Sequence, residues 1–280
     1  MTPAAGDAEA AAPYVRSLGL QVEHVVPERA LVRVPHRDDN ANAGGVLHGG
    51  VIASAVEVAG VLVARAGAAP RGREGGALEL AVCYLSASIG EDVVADARLR
   101  RRGREIVHVD VAVGSPVGKP VATGSLTYRF VTAAQRAGSW SAPMPEAPTS
   151  PVRPPVADVF EASPFIASLG VRMLHAADGG ARLALPARDG SPVHEGALAA
   201  LLDTAGAAAS WSLAPPDPRV RGSTVGIRMG LHALATGEVI ADARVLHRRN
   251  EIVAVRVALG ASGRTVASGT VTYRLLVPEA

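Results

Sequence analysis

Two carboxylates interrupt the most apolar stretches of the chain. Glu57 sits in VIASAVEVAGVLVA and Asp203 in ALAALLDTAGAAAS. An acid carried into such surroundings is costly unless it is paired or hydrogen-bonded. One reading is a helix with a single wet face, where the acid marks the solvent side. The other is a general base or nucleophile whose pKa is tuned by burial. Each acid follows a histidine, His48 or His194, by nine residues, about two and a half helical turns. The loop leading to the first histidine, Asn42-Ala-Gly-Gly-Val-Leu-His48-Gly49-Gly50, is glycine-rich. Glycines at a helix start allow close backbone approach. The free N–H groups and the positive end of the helix dipole there favour a carbonyl oxygen that is becoming negative.

The elements that must position these groups are written twice. ADARLRRRGREIVHVDVAVG from Ala95 returns as ADARVLHRRNEIVAVRVALG from Ala241, and His48-Gly49-Gly50 answers His194-Glu195-Gly196 at the same offset of 146 residues. Ser17-Leu18-Gly19 returns as Ser168-Leu169-Gly170, and Gly124-Ser-Leu-Thr-Tyr128 as Gly269-Thr-Val-Thr-Tyr273. Two long copies in the same order are a duplicated domain rather than a solenoid. In each copy one strand (Val22 to Val34 in the first) precedes a helix, which begins at Gly49 and is apolar on all sides, as a buried helix is. Four Val-rich runs follow, at Ala77–Ser88, Val93–Arg101, Ile106–Gly114 and Pro120–Val131, with period-2 stretches such as Val107 to Val113. The expected fold is α+β, with an antiparallel sheet wrapped around a central helix in each copy. The expected organisation is a disordered N-terminus over 1–13, domains over 14–131 and 158–280, and a linker over 132–157. Six prolines in that linker forbid regular helix.

Composition narrows the function classes. Apolar residues make up 48% of the 280 and charged residues 19%, enough apolar surface for folded domains. Aromatics at 3% and a net charge of +2 offer no base-stacking or basic platform, so no nucleic-acid partner is expected. Cys83 is the only cysteine, which excludes an intramolecular disulfide. The N-terminus lacks the basic and apolar regions of a secretory signal, and Glu57 interrupts the most apolar run. A cytoplasmic chain with no membrane association is the expectation. His24, His36, His108, His175, His232 and His247 show no metal-ligand spacing, so no metal site is expected, and no serine elbow or phosphate-binding glycine loop occurs.

The pattern Asn42-x-x-Gly45-x-x-His48-Gly49-Gly50 followed by Glu57 resembles the signature of hot-dog-fold acyl-CoA thioesterases of the phenylacetate-degradation (PaaI-like) type. Ala77-Leu-Glu-Leu-Ala-Val-Cys-Tyr-Leu85, Gly90-Glu-Asp and Gly103-Arg104 also resemble that family, and the likeness extends over residues 14–131 and, more loosely, 160–277. It implies that two hot-dog domains pair, with active sites between them. The glycine after the histidine polarises the thioester carbonyl through its N–H, and the partner domain's acid attacks or activates water. A duplicated chain is then its own pseudo-dimer, able to stack into a homodimer of pseudo-dimers. No cofactor is implied beyond the coenzyme A of the substrate.

Carried over residue by residue, the resemblance makes the halves complementary. The first keeps Asn42, His48 and Gly49. The second has Arg188, Ser191 and Glu195 at the matching loop positions but keeps Asp203 and a hydroxyl, Thr224, where the first half has Ala77. The expected working site joins Asn42, His48 and Gly49 to Asp203 and Thr224. The other, with Glu57, is expected to be impaired or repurposed. Gly50, His194 and Gly196 are expected beside substrate, and Arg102, Arg104 and Arg248, in arginine clusters at matching turns, at the coenzyme A phosphates. Two other readings remain: a non-catalytic acyl-CoA-binding sensor, and a hot-dog hydratase or dehydratase.

Overall fold

The computed structural model describes residues 9, 11–67, 74–132, 142–144, 156–188, 190–215, 217 and 219–277. Valine alternation builds the sheet. In Ile106–Gly114 the side chains of Val107, Val109, Val111 and Val113 are buried while His108 and Asp110 face out, the period-2 pattern of a strand with one covered face. The first half runs α1 (Pro13–Ser17), β1 (Gln21–Val26), β2 (Arg29–Val34), α2 (Gly49–Ala66), β3 (Glu74–Tyr84), β4 (Val93–Arg102), β5 (Ile106–Gly114) and β6 (Pro120–Val131). The second runs α3 (Ala157–Glu161), α4 (Pro164–Leu169), β7 (Arg172–Ala177), β8 (Gly180–Leu185), α5 (Glu195–Trp211), β9 (Arg221–Leu231), β10 (Val239–Arg249), β11 (Ile252–Ala261) and β12 (Arg264–Leu276).

All described strands join one antiparallel sheet in the order β1-β2-β4-β5-β6-β3-β9-β12-β11-β10-β8-β7. The second six mirror the first, and the halves meet where β3 pairs with β9, from Glu79 opposite Gly230 to Cys83 opposite Gly226. The sheet covers α2 and α5. Every residue of α2 from Gly50 to Ala64 is buried, Glu57 included. By length and composition α2 could cross a membrane, but here it is the core helix of the first half. The two helices touch at small residues. A Cβ on Gly50 would stand 2.7 Å from the Cβ of Ala200, and one on Gly196 would stand 2.9 Å from the Ser54 hydroxyl.

The single first strand expected over Val22 to Val34 is a hairpin. Pro27 has no N–H to give a ladder, and the chain turns there between β1 and β2. In the second half the same turn falls at Asp178 and Gly179, both at positive φ, the conformation that tight hairpins require. Most of the proline-rich segment lies outside the described residues. Its described part, 142–144, lies along the second half, with Thr265 N–H bonded to the Ala142 carbonyl and Met144 N–H to that of Gly263. At the other end, Glu9 is buried, within the stretch expected to be disordered. Its carboxylate meets the half-buried side chains of His194 and Arg65.

Candidate active site

The loop before α2 is held in shape by its own polar groups. The Asn42 side chain accepts the N–H groups of Gly44 (2.8 Å) and Val46 (3.2 Å), and Gly45 supplies the positive φ of the turn. Asn42 therefore shapes the loop. Asn40, unnoticed in the sequence, is buried: its side-chain amide donates to the Leu18 carbonyl and its backbone carbonyl accepts the His48 N–H, each at 2.8 Å. His48 is the N-cap of α2. Its Nδ1 accepts the Gly50 N–H at 3.0 Å, and burial lowers its pKa to about 4, so the imidazole is neutral. The first helical N–H, that of Gly49, has no intrahelical acceptor and makes no hydrogen bond among the described residues.

Asp203 of the second half comes against this glycine. A Cβ on Gly49 would lie 2.8 Å from Asp203 Oδ2 and 3.4 Å from the Tyr84 ring, so only glycine leaves the space. Thr224, on β9, donates its hydroxyl to Asp203 Oδ1 at 2.6 Å. Burial pushes the Asp203 carboxyl up to about 6, and the Thr224 bond offsets part of that rise. The structure thus brings together Gly49, His48, Asp203 and Thr224. It adds two aromatics that the sequence reading did not single out. Tyr84 donates its hydroxyl to the Gly49 carbonyl at 2.9 Å, and the Phe165 ring lies 4.8 Å from that of His48. The repeat signalled Phe165, because the Ser-Leu-Gly anchors place it opposite Tyr14, whose ring packs 5.1 Å from His194.

The corresponding place around Glu57 is filled. His194 caps α5 as His48 caps α2, its Nδ1 accepting the Gly196 N–H at 3.0 Å. Glu195 takes the position of Gly49 and hydrogen-bonds Glu57. Ala77 pairs with Tyr128 as Thr224 pairs with Tyr273, so the position of the hydroxyl carries a methyl group. Burial, with the Glu9 and Glu195 carboxylates nearby, pushes the Glu57 carboxyl well above its ordinary range. Glu9 bridges His194 Nε2 (3.0 Å) and Arg65 (2.8 Å), and Arg65 Nε also donates to the Tyr128 hydroxyl at 2.9 Å. Ligand atoms of Glu9, Glu57 and His194 lie within 4.8 Å of one another, close enough to hold a metal ion. However, the Gly196 N–H holds one ring nitrogen and Glu9 faces the other, so the imidazole has no lone pair left to give. At the matching places of the Asp203 site stand Phe160 and Trp211, 6.0 Å apart, with Trp211 donating to the Tyr273 hydroxyl.

Gly50 and Gly196 lie at the helix crossing, where their missing side chains admit Ala200 and Ser54. Arg102 donates to the carbonyls of Val63 and Ala64, capping the C-terminus of α2. Arg104 and Arg248 are exposed, the latter bonded to the Asn250 carbonyl. Arg188 is exposed and bonded to the Ser168 carbonyl, and Ser191 is exposed.

A family model described as a domain of unknown function (DUF4442) matches residues 7–130. Human acyl-coenzyme A thioesterase 13 is 27% identical over 117 residues, which is 41% of this chain and 82% of that protein. Among solved structures, a conserved protein with hot-dog fold from Alicyclobacillus acidocaldarius aligns over 93% of this chain and 96% of its own, with a TM-score of 0.66 at 18% identity. The acyl-CoA thioesterase II TesB2 of Mycobacterium marinum aligns over 92% and 97%, with a TM-score of 0.63 at 15% identity. The chain has the hot-dog fold. Both structural alignments run across the two sheet-rich halves of this hot-dog protein, and so across the β3–β9 junction beside which Asp203 meets Gly49.

Proposed function

We propose that the protein hydrolyses an acyl-CoA thioester to a carboxylic acid and coenzyme A, at one composite site of a tandem hot-dog pair. The observation that carries this reading is the buried Asp203 carboxylate set against the N–H end of α2 at Gly49, with Thr224 holding one of its oxygens. The thioester carbonyl lies at Gly49, where its N–H and the helix dipole take up the developing negative charge. Asp203 removes a proton from water as that water attacks the carbonyl carbon. The tetrahedral intermediate then expels the coenzyme A thiolate, which receives the proton. A carboxylate with a pKa of about 6 is ionised at neutral pH and still basic enough for this task. The neutral His48 orders the loop through its bond to Gly50.

The Glu57 place is unproductive in this reading. Glu195 stands where the Asp203 site has Gly49, burial and the nearby carboxylates raise the Glu57 carboxyl well above its ordinary range, and no hydroxyl stands at Ala77. Arg104 and Arg248 are exposed and can meet the phosphates of coenzyme A, whereas Arg102 would first have to release its helix cap. The chemistry calls for no metal or redox cofactor. Thiol release from short, medium, long and aromatic acyl-CoAs tests the proposal. Tight acyl-CoA binding without thiol release would replace it with the sensor reading.

A further inference from the structure

The strand that carries Tyr84 belongs to the first half, yet its end reaches the Asp203 site of the second. The β3–β9 pairing ends at Cys83 opposite Gly226, one residue before Tyr84. From there the phenol turns onto α2 and donates to the carbonyl of Gly49 at 2.9 Å. The ring and the Asp203 carboxylate converge on one point. A Cβ on Gly49 would stand 3.4 Å from Tyr84 Cζ, 3.5 Å from its Cε1 and 2.8 Å from Asp203 Oδ2. At the matching strand position the second half has Leu231, opposite Ala267 as Tyr84 is opposite Ala122. The filled Glu57 place therefore has no such hydroxyl from β9.

We propose that Tyr84 is a positioning residue for thioester hydrolysis, pinning the Gly49 peptide through its hydroxyl and walling Asp203 from water with its ring. The two jobs use different atoms. The hydroxyl fixes the Gly49 carbonyl, one Cα away from the Gly49 N–H, and small displacements of that donor from the position of the oxyanion are expensive in rate. The ring supplies part of the low-dielectric wall that disfavours the ionised carboxylate. A purely structural tyrosine would do neither separately.

The inference rests on Asp203 being the base, so Asp203→Asn accompanies the test. Tyr84→Phe and Tyr84→Ala are compared with wild type in acyl-CoA hydrolysis across pH, after circular dichroism shows that they are folded. Tyr84→Phe is expected to lose roughly tenfold in kcat with KM and the midpoint of the pH profile unchanged. Tyr84→Ala is expected to move the midpoint toward lower pH as water reaches Asp203. Wild-type kcat in Tyr84→Phe, or one common midpoint for all three proteins, would overturn the role of Tyr84 while an inactive Asp203→Asn left the base in place. An active Asp203→Asn would overturn the base itself.

Discussion

At the scale of single residues, the feature that explains most is a carboxylate paid for in stability. Asp203 is 3% exposed, and its carboxyl is raised from 3.8 to about 6. Folding therefore tightens its hold on the proton. The resulting stabilisation is complete below the unfolded value and is lost as pH rises through about 6. Asp203→Asn removes the charge and keeps most of the shape. At pH 8 it is expected to be more stable than wild type by roughly 2–3 kcal/mol, read as a higher Tm, with the difference vanishing near pH 4. As the proposed base, the same group is expected to make kcat/KM rise with pH along a limb centred near 6, measurable by thiol release in buffers from pH 5 to 8. The acid and its glycine loop were legible in the sequence because a lone carboxylate in an apolar helix is conspicuous. The hydroxyl at Thr224 was reached only through the family resemblance. Tyr84 and Asn40 were missed, since one reads as an ordinary strand residue and the other as loop.

At the scale of elements, repetition and apolar pattern revealed the helices and most strands, since an all-round apolar helix and Val alternation each have one structural solution. The β1–β2 hairpin was hidden because apolar residues continue through Pro27, so the turn leaves no break in the pattern. The burial of Glu9 could not be read from neighbours, because its partners His194 and Arg65 lie far along the chain. That network ties the N-terminal segment to both long helices. Glu9→Gln keeps the size of the side chain but leaves Arg65 without its charge partner. It is expected to cost about 1–3 kcal/mol, seen as a lower Tm, while thiol release stays at the wild-type rate. A variant equally stable, or one with impaired hydrolysis, would mean that Glu9 does something other than clasp the segment.

At the scale of the whole molecule, two copies of one plan have been furnished differently. Each half presents a capped helix start and a buried acid, and the antiparallel β3–β9 junction sets the helix start of one half against the acid of the other. Around Asp203 the surroundings are glycine, a hydroxyl and aromatic rings. Around Glu57 they are Glu195, Glu9, Arg65 and His194, a charged cluster that an acyl chain has no reason to enter. A single chain can divide its labour in this way, whereas a symmetric dimer of identical domains cannot. The most direct measurement is the rate of thiol release from acyl-CoA by Asp203→Asn and Glu57→Gln beside wild type, each variant first shown to be folded. The expected result is a loss of roughly a hundredfold or more in Asp203→Asn, with Glu57→Gln close to wild type. Equal losses in both variants would contradict a single working site.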